Sequence, residues 1–159
     1  MNLELLMYHI SEENIIDLVP SFCDGLYKQK LKSILIFYSE EILKQCDAKI
    51  WTYSSEKFIP HATCFDVDIN SSDCNCYLTN NYKTNMQSDV IIFVKNDDMQ
   101  FESIINHEYN QKISKIILIF VGIISPEKYI EEIQKYNVQN KFSVFKFFSR
   151  NSKIWQQIC

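Results

Sequence analysis

The chain is expected to fold as an α/β protein: a three-layer Rossmann-like sandwich with a mainly parallel central sheet. Three observations predict it. Apolar segments of strand length alternate with amphipathic segments of helix length along most of the 159 residues, the arrangement that buries a parallel sheet between two layers of helices. The strongest apolar runs, Ser33–Tyr38 (SILIFY) and Lys115–Val121 (KIILIFV), read as strands buried in the sheet interior. Finally, 159 residues suffice for one core that buries roughly two thirds of the unfolded chain's surface. The composition, 47% hydrophobic and 23% charged, is that of a folded protein, so a single domain over residues 1–159 is expected.

Leu3–Ile10 reads as the first strand. Ser11 is placed to cap the following helix, with Glu12 and Glu13 near its positive end. Ile15, Ile16, Val19, Phe22, Cys23 and Leu26 then recur at helical spacing, although Pro20 is expected to kink or interrupt this helix unless it starts just before that residue. After the strand Ser33–Tyr38, Ser39 followed by Glu40 and Glu41 opens a second helix carrying Ile42, Leu43 and Cys46. A long irregular region is expected from Thr52 to about Cys76. Short strands follow at Tyr77–Thr79 and Asp89–Val94, then a helical stretch around Met99–Asn106 and the strand Lys115–Val121. Ser125-Pro126-Glu127 starts a helix reaching about Tyr136, with proline at the one position where a helix tolerates it, and Phe142–Phe148 closes the chain as an edge strand.

No apolar run approaches the roughly 20 residues that span a membrane, and Met1–Ile10 lacks the basic start of a secretion signal, so the protein is expected to be cytoplasmic. Its six cysteines are then reduced thiols. The net charge of -4 offers no general attraction to nucleic acid, so contact with DNA is expected to be indirect. Charge is nevertheless uneven. No Asp or Glu follows Glu132, whereas Lys135, Lys141, Lys146, Arg150 and Lys153 do, so an acidic partner is expected to prefer the C-terminal end. Arg150 is the sole arginine among 16 basic residues.

The chemistry of a nucleotide or metal enzyme is hard to assemble from this sequence. Phosphate cradles need glycine where backbone approaches phosphate, and the two glycines, Gly25 and Gly122, lie in no Gly-rich turn. Asp66 and Asp68 alternate and can share one strand face, but two-metal catalysis needs further carboxylates, so a solvated loop edge is the expected reading of the pair. His61, Cys64, Cys74 and Cys76 form H-x2-C-x9-C-x-C, a set that offers four zinc ligands or a Cys-His pair, but the C-x-C pair is tighter than the usual C-x2-C bite, so free or partly buried thiols are expected. Neither a catalytic residue nor a cofactor is expected.

One block is more specific. Trp51 to His61 reads W-T-Y-S-S-E-K-F-I-P-H directly after the second helix, and it resembles the W-x6-F-x-P-H of the DNA polymerase III chi subunit family. Tyr77-Leu78-Thr79 and Asp89–Val94 resemble that family's next strands, and Trp155-Gln156-Gln157 is similar to its C-terminal ending. The resemblance implies a non-catalytic accessory subunit of the bacterial polymerase III holoenzyme and its clamp-loader complex, linking it to single-stranded-DNA-binding protein. It implies that Trp51, Phe58, Pro60 and His61 contact the psi subunit or an alternative helicase partner. It also implies that Phe120, Val121, Lys128 and Lys135 hold the acidic C-terminal tail of single-stranded-DNA-binding protein, although Glu132 stands where the family has a second basic residue. From the residues alone, Trp51 and Phe58 are either rigid apolar anchors with His61 as a polar tip, or plugs in the core beneath a long loop. Two rival functions follow: a module for a repair helicase without any clamp-loader link, and a metal or Cys-His enzyme centred on His61 and Cys64.

Overall fold

Strand β1 (Glu4–Ile10) lies inside the sheet, parallel to β6 (Lys115–Val121) on one side and to β7 (Val144–Arg150) on the other. Together with β2 (Ser33–Phe37), β3 (His61–Thr63), β4 (Cys76–Thr79), β5 (Val90–Lys95) and β8 (Gln156–Gln157), these strands form one sheet in the order β3-β4-β2-β5-β6-β1-β7-β8. Every pairing is parallel except β7 with β8. The structure, a computed structural model, describes residues 2–10, 15–56, 58–66, 74–81, 87–95, 101–122, 125–150 and 155–159; the expectations placed on Ser11, Glu12, Glu13, Asp68, Met99 and Lys153 lie outside them.

Strand residues alternate between two apolar layers, because successive side chains point to opposite faces. On one face, Leu35, Ile92, Ile117 and Ile119 pack beneath α1 (Ile15–Lys28) and α2 (Glu40–Trp51). On the other, Leu5, Met7, Ile36, Phe93 and Leu118 pack beneath α3 (Glu102–Ile105), α4 (Pro126–Gln134) and α5 (Val138–Lys141). This is the three-layer sandwich that the alternation predicts.

Four local expectations are corrected. β7 is not an edge strand, because the two-residue β8 pairs antiparallel outside it. The region after Thr52 is not wholly irregular, since its three residues His61–Thr63 form β3; a strand so short, with one buried residue, has no apolar run to reveal it. α1 continues through Pro20, giving up the single backbone bond that the ring cannot donate, while burial of Ile16, Val19 and Pro20 itself holds the helix to the sheet. The helix from Pro126 ends close to the expected Tyr136, but a further short helix that was not expected, α5, follows it, set off by the left-handed φ of 53° at Asn137.

At the C-terminal ends of the central strands, a buried histidine ties three of them together. The Nε2–H of His9 donates to the Gly122 carbonyl and its Nδ1 accepts from the Ser149 hydroxyl, both at 2.9 Å, which fixes β6 and β7 against β1. Gly122 is required there for a steric reason: a Cβ would run into the hydroxyl of Tyr129 on α4 and sit 2.6 Å from its Cζ.

Candidate partner-binding surface

α2 begins at Ser39, whose hydroxyl accepts the Ile42 amide at 3.3 Å, and it buries Leu43, Cys46 and Ile50 against the sheet. Trp51, one residue beyond Ile50 and about 100° further round the helix, faces outward. Thr52 then ends the helix, its hydroxyl donating to the Ala48 carbonyl at 3.2 Å. On the returning segment Ile59 is buried, and its neighbour Phe58 projects to the other side. Trp51 and Phe58 are 58% and 60% exposed, with ring centroids 5.6 Å apart. Core packing therefore does not account for them. Covering roughly 100 Å² of apolar surface on each would contribute about 2–3 kcal/mol per ring.

His61 does a different job from the polar tip expected of it. Its side chain is only 1% exposed. Its Nδ1 lies 2.8 Å from the Ile59 carbonyl oxygen and its Nε2 3.0 Å from the Asp47 carboxylate. So held, the imidazole lies 4.7 Å from the Trp51 ring at an interplanar angle of 59°. His61 is thus hidden from the surface and packs against the exposed Trp51. Pro60 accepts the Asn75 and Cys76 amides on its carbonyl, which starts β3 at a defined point.

Sequence reasoning missed two neighbours. Asp47 sits one helical turn before Trp51, but its partner His61 is 14 residues further along the chain, so no local spacing signals the contact. Phe65 is exposed beyond β3 and carries the Lys44 ammonium of α2 5.1 Å from its ring centroid.

A protein-family model described as DNA polymerase III chi subunit, HolC, matches residues 4–118, a span that contains the whole Trp51–His61 block. The chain belongs to the chi subunit family. A relative from Rickettsia prowazekii (strain Madrid E), a probable DNA polymerase III subunit chi, is 24% identical over 140 residues, covering 87% of this chain and 83% of the relative. Membership makes the chain an accessory subunit of a DNA-replicating polymerase.

The second group of residues implied by the chi resemblance lies beyond the matched span, and the structure divides it. Phe120 is fully buried, edge-on to Tyr129 at 5.1 Å and to Phe101 at 5.6 Å. Val121 packs against the apolar layer on the opposite side of the sheet. Neither shares a surface with the lysines. Lys128 on α4 and Lys135 at its C-cap are both exposed, and their seven-residue spacing puts them on one side of the helix.

The rival chemistry finds its residues committed elsewhere. Asp66 Oδ2 accepts the Thr63 amide at 2.7 Å and closes a turn. Both nitrogens of His61 face Ile59 and Asp47, while the Cys64 thiol faces Asn80 at 3.7 Å, so the imidazole does not serve that thiol as a base. Cys76 is buried and accepts the Ser33 hydroxyl at 3.3 Å. It also shares a hydrogen bond with Cys23, whose thiol that contact and burial push well up. Burial and the charge of Asp17 push Cys46 up to about 12, so it stays a protonated thiol. Among the described residues no group of three or more His, Cys, Asp or Glu is arranged to hold a metal ion, and no helix is long and apolar enough to cross a membrane.

Proposed function

We propose that this chain is a non-catalytic subunit that joins the clamp-loader complex of polymerase III to DNA coated by single-stranded-DNA-binding protein. Trp51, Phe58 and Pro60, braced by His61, dock the psi subunit or an alternative helicase partner. Lys128 and Lys135 attract the acidic C-terminal tail of single-stranded-DNA-binding protein, so contact with DNA stays indirect. Two moderate contacts on one rigid domain raise the effective concentration of polymerase at coated single strands.

The observation that carries this reading is the joint exposure of Trp51 and Phe58 at 5.6 Å, inside the span that matches the family. Two large rings left in water beside a braced histidine suit an interface anchor, since such rings lose little entropy on binding. Affinity capture of the tagged chain from its own cells tests it. Polymerase III subunits are expected with the wild type and are expected to be lost with Trp51→Ala. Recovery of a helicase without polymerase subunits would favour the repair-helicase module instead.

A further inference from the structure

We propose that Cys23 and Cys76 are a redox pair: a hydroperoxide converts the two thiols into a disulfide that fastens α1 to β4, and a small thiol reverses it. Both are free cysteines, fully buried in the apolar layer beneath α1 and α2. The device is independent of the partner surfaces described above.

The two sulfurs are already in contact. The Cys23 thiol donates a hydrogen bond to the Cys76 sulfur, and the Ser33 hydroxyl donates a second at 3.3 Å. Strand register explains the meeting, since Cys76 opens β4 directly opposite Ser33 of β2, on the face that α1 covers. A disulfide requires the sulfurs to close to about 2.05 Å, and here the movement starts from contact.

Hydrogen bonds from Cys23, Ser33 and Asn75 hold the Cys76 thiol below its ordinary value, although burial opposes them. Cys76 is therefore the nucleophile. Cys23, pushed well up by the same hydrogen bond and by burial, is the thiol that resolves the intermediate. The Cys76 sulfur attacks the terminal oxygen of the hydroperoxide and the O–O bond breaks. The alkoxide takes the Cys76 proton and leaves as an alcohol, and Cys76 becomes a sulfenic acid. The Cys23 sulfur then attacks the Cys76 sulfur, the S–O bond breaks, and hydroxide leaves as water with the Cys23 proton. The two thiols lose two electrons and two protons, and the hydroperoxide gains them. Cys46 lies in the same layer, but burial and Asp17 push its thiol up to about 12, so it competes poorly as a nucleophile.

The oxidant reaches the pair through α1. Cys23 lies one turn after Pro20 and two residues before Gly25, and all three are inside the same helix. Proline withholds a backbone hydrogen bond, and glycine weakens a helix interior. This stretch of α1 is held by packing more than by its own backbone, and such a segment opens locally at less cost than the whole domain unfolds. The disulfide fastens α1 where its backbone is weakest.

Peptide mapping under non-reducing conditions tests the assignment. The full chain carries Cys64→Ser and Cys159→Ser, which remove the two less buried thiols, and is treated with hydrogen peroxide while folded. A peptide linking Cys23 to Cys76 is expected, with recovery of both thiols in dithiothreitol. The oxidised chain is expected to melt roughly 5–15 °C above the reduced one. With Cys23→Ser added, dimedone is expected to trap a sulfenic acid at Cys76. The proposal is overturned if both thiols stay free through exhaustive treatment, if the link joins another pair such as Cys23 and Cys46, or if it forms only in the urea-unfolded chain. An oxidised chain that melts below the reduced one overturns it as well.

Discussion

The imidazole of His61 lies 4.7 Å from the indole of Trp51, and a 3.0 Å hydrogen bond to Asp47 on the preceding helix keeps it there. A residue of the proposed interface is thus itself hidden from the partner, and its effect passes through an exposed neighbour. His61→Ala should lower partner affinity several-fold, because one brace bond of about 0.5–1.5 kcal/mol is lost. Fluorescence anisotropy of Trp51, in a Trp155→Phe background, should fall as the indole gains freedom. Unchanged anisotropy together with unchanged affinity would refute the brace.

Trp51→Ala and Phe58→Ala should separate binding from folding. Both rings are more than half exposed, so unfolding free energy should change by no more than about 0.5 kcal/mol, as for other surface substitutions. Partner binding should weaken by about 2 kcal/mol or more for Trp51, roughly thirtyfold. Chemical denaturation and calorimetric titration measure the two quantities side by side. A large loss of stability would return these rings to the core.

The two glycines should respond in opposite directions. Gly122→Ala drives a methyl group into Tyr129 and should destabilise by about 1–3 kcal/mol. Gly25→Ala meets open space inside a helix and should stabilise by roughly 0.5–1 kcal/mol. Thermal melts of the two variants check the sign of each.

Alkaline pH should weaken the fold through Cys46. Its thiol moves from an ordinary 9.0 up to about 12 in the folded protein, so the folded state holds a proton that the unfolded chain releases. Stability from this group is complete below pH 9 and lost as pH rises towards about 12, at no more than about 1.4 kcal/mol per pH unit. Urea unfolding between these limits should show a loss of stability to which Cys23, whose thiol is also pushed well up, contributes in the same direction, and Cys46→Ala should make the slope shallower without removing it.

Charge reversal at Lys128 and Lys135 should abolish binding of an acidic tail peptide, and rising salt should weaken binding to the wild type, because exposed charges are screened within about 10 Å at 0.1 M salt. Phe120→Ala is a poor probe of the same idea. Its ring is fully buried, so removing it should cost about 3–5 kcal/mol of stability before any binding is measured.

Layer order, strand identity and most helices were legible in the chain because they rest on local periodicity. KIILIFV, short, rich in β-branched residues and apolar throughout, reads as a strand covered on both sides, and Ser39-Glu40-Glu41 states a helix start in three residues. The family was legible too, since Trp51 to His61 is contiguous in sequence. What periodicity cannot express is which of two apolar side chains faces water. Trp51 and Ile50 are adjacent on one helix, and only packing against the sheet decided that Ile50 is buried and Trp51 exposed. The split between Phe120 and Val121, by contrast, follows from strand alternation, which sends neighbouring side chains of β6 to opposite faces. Local periodicity did not show the brace by Asp47, 14 residues from His61, or the approach of Arg150 to Trp155 across β7 and β8. Local sequence determined which elements form, because backbone propensity and side-chain period act over a few residues. Tertiary structure alone decided which residues meet, because burial and side-chain direction depend on elements far apart in the chain.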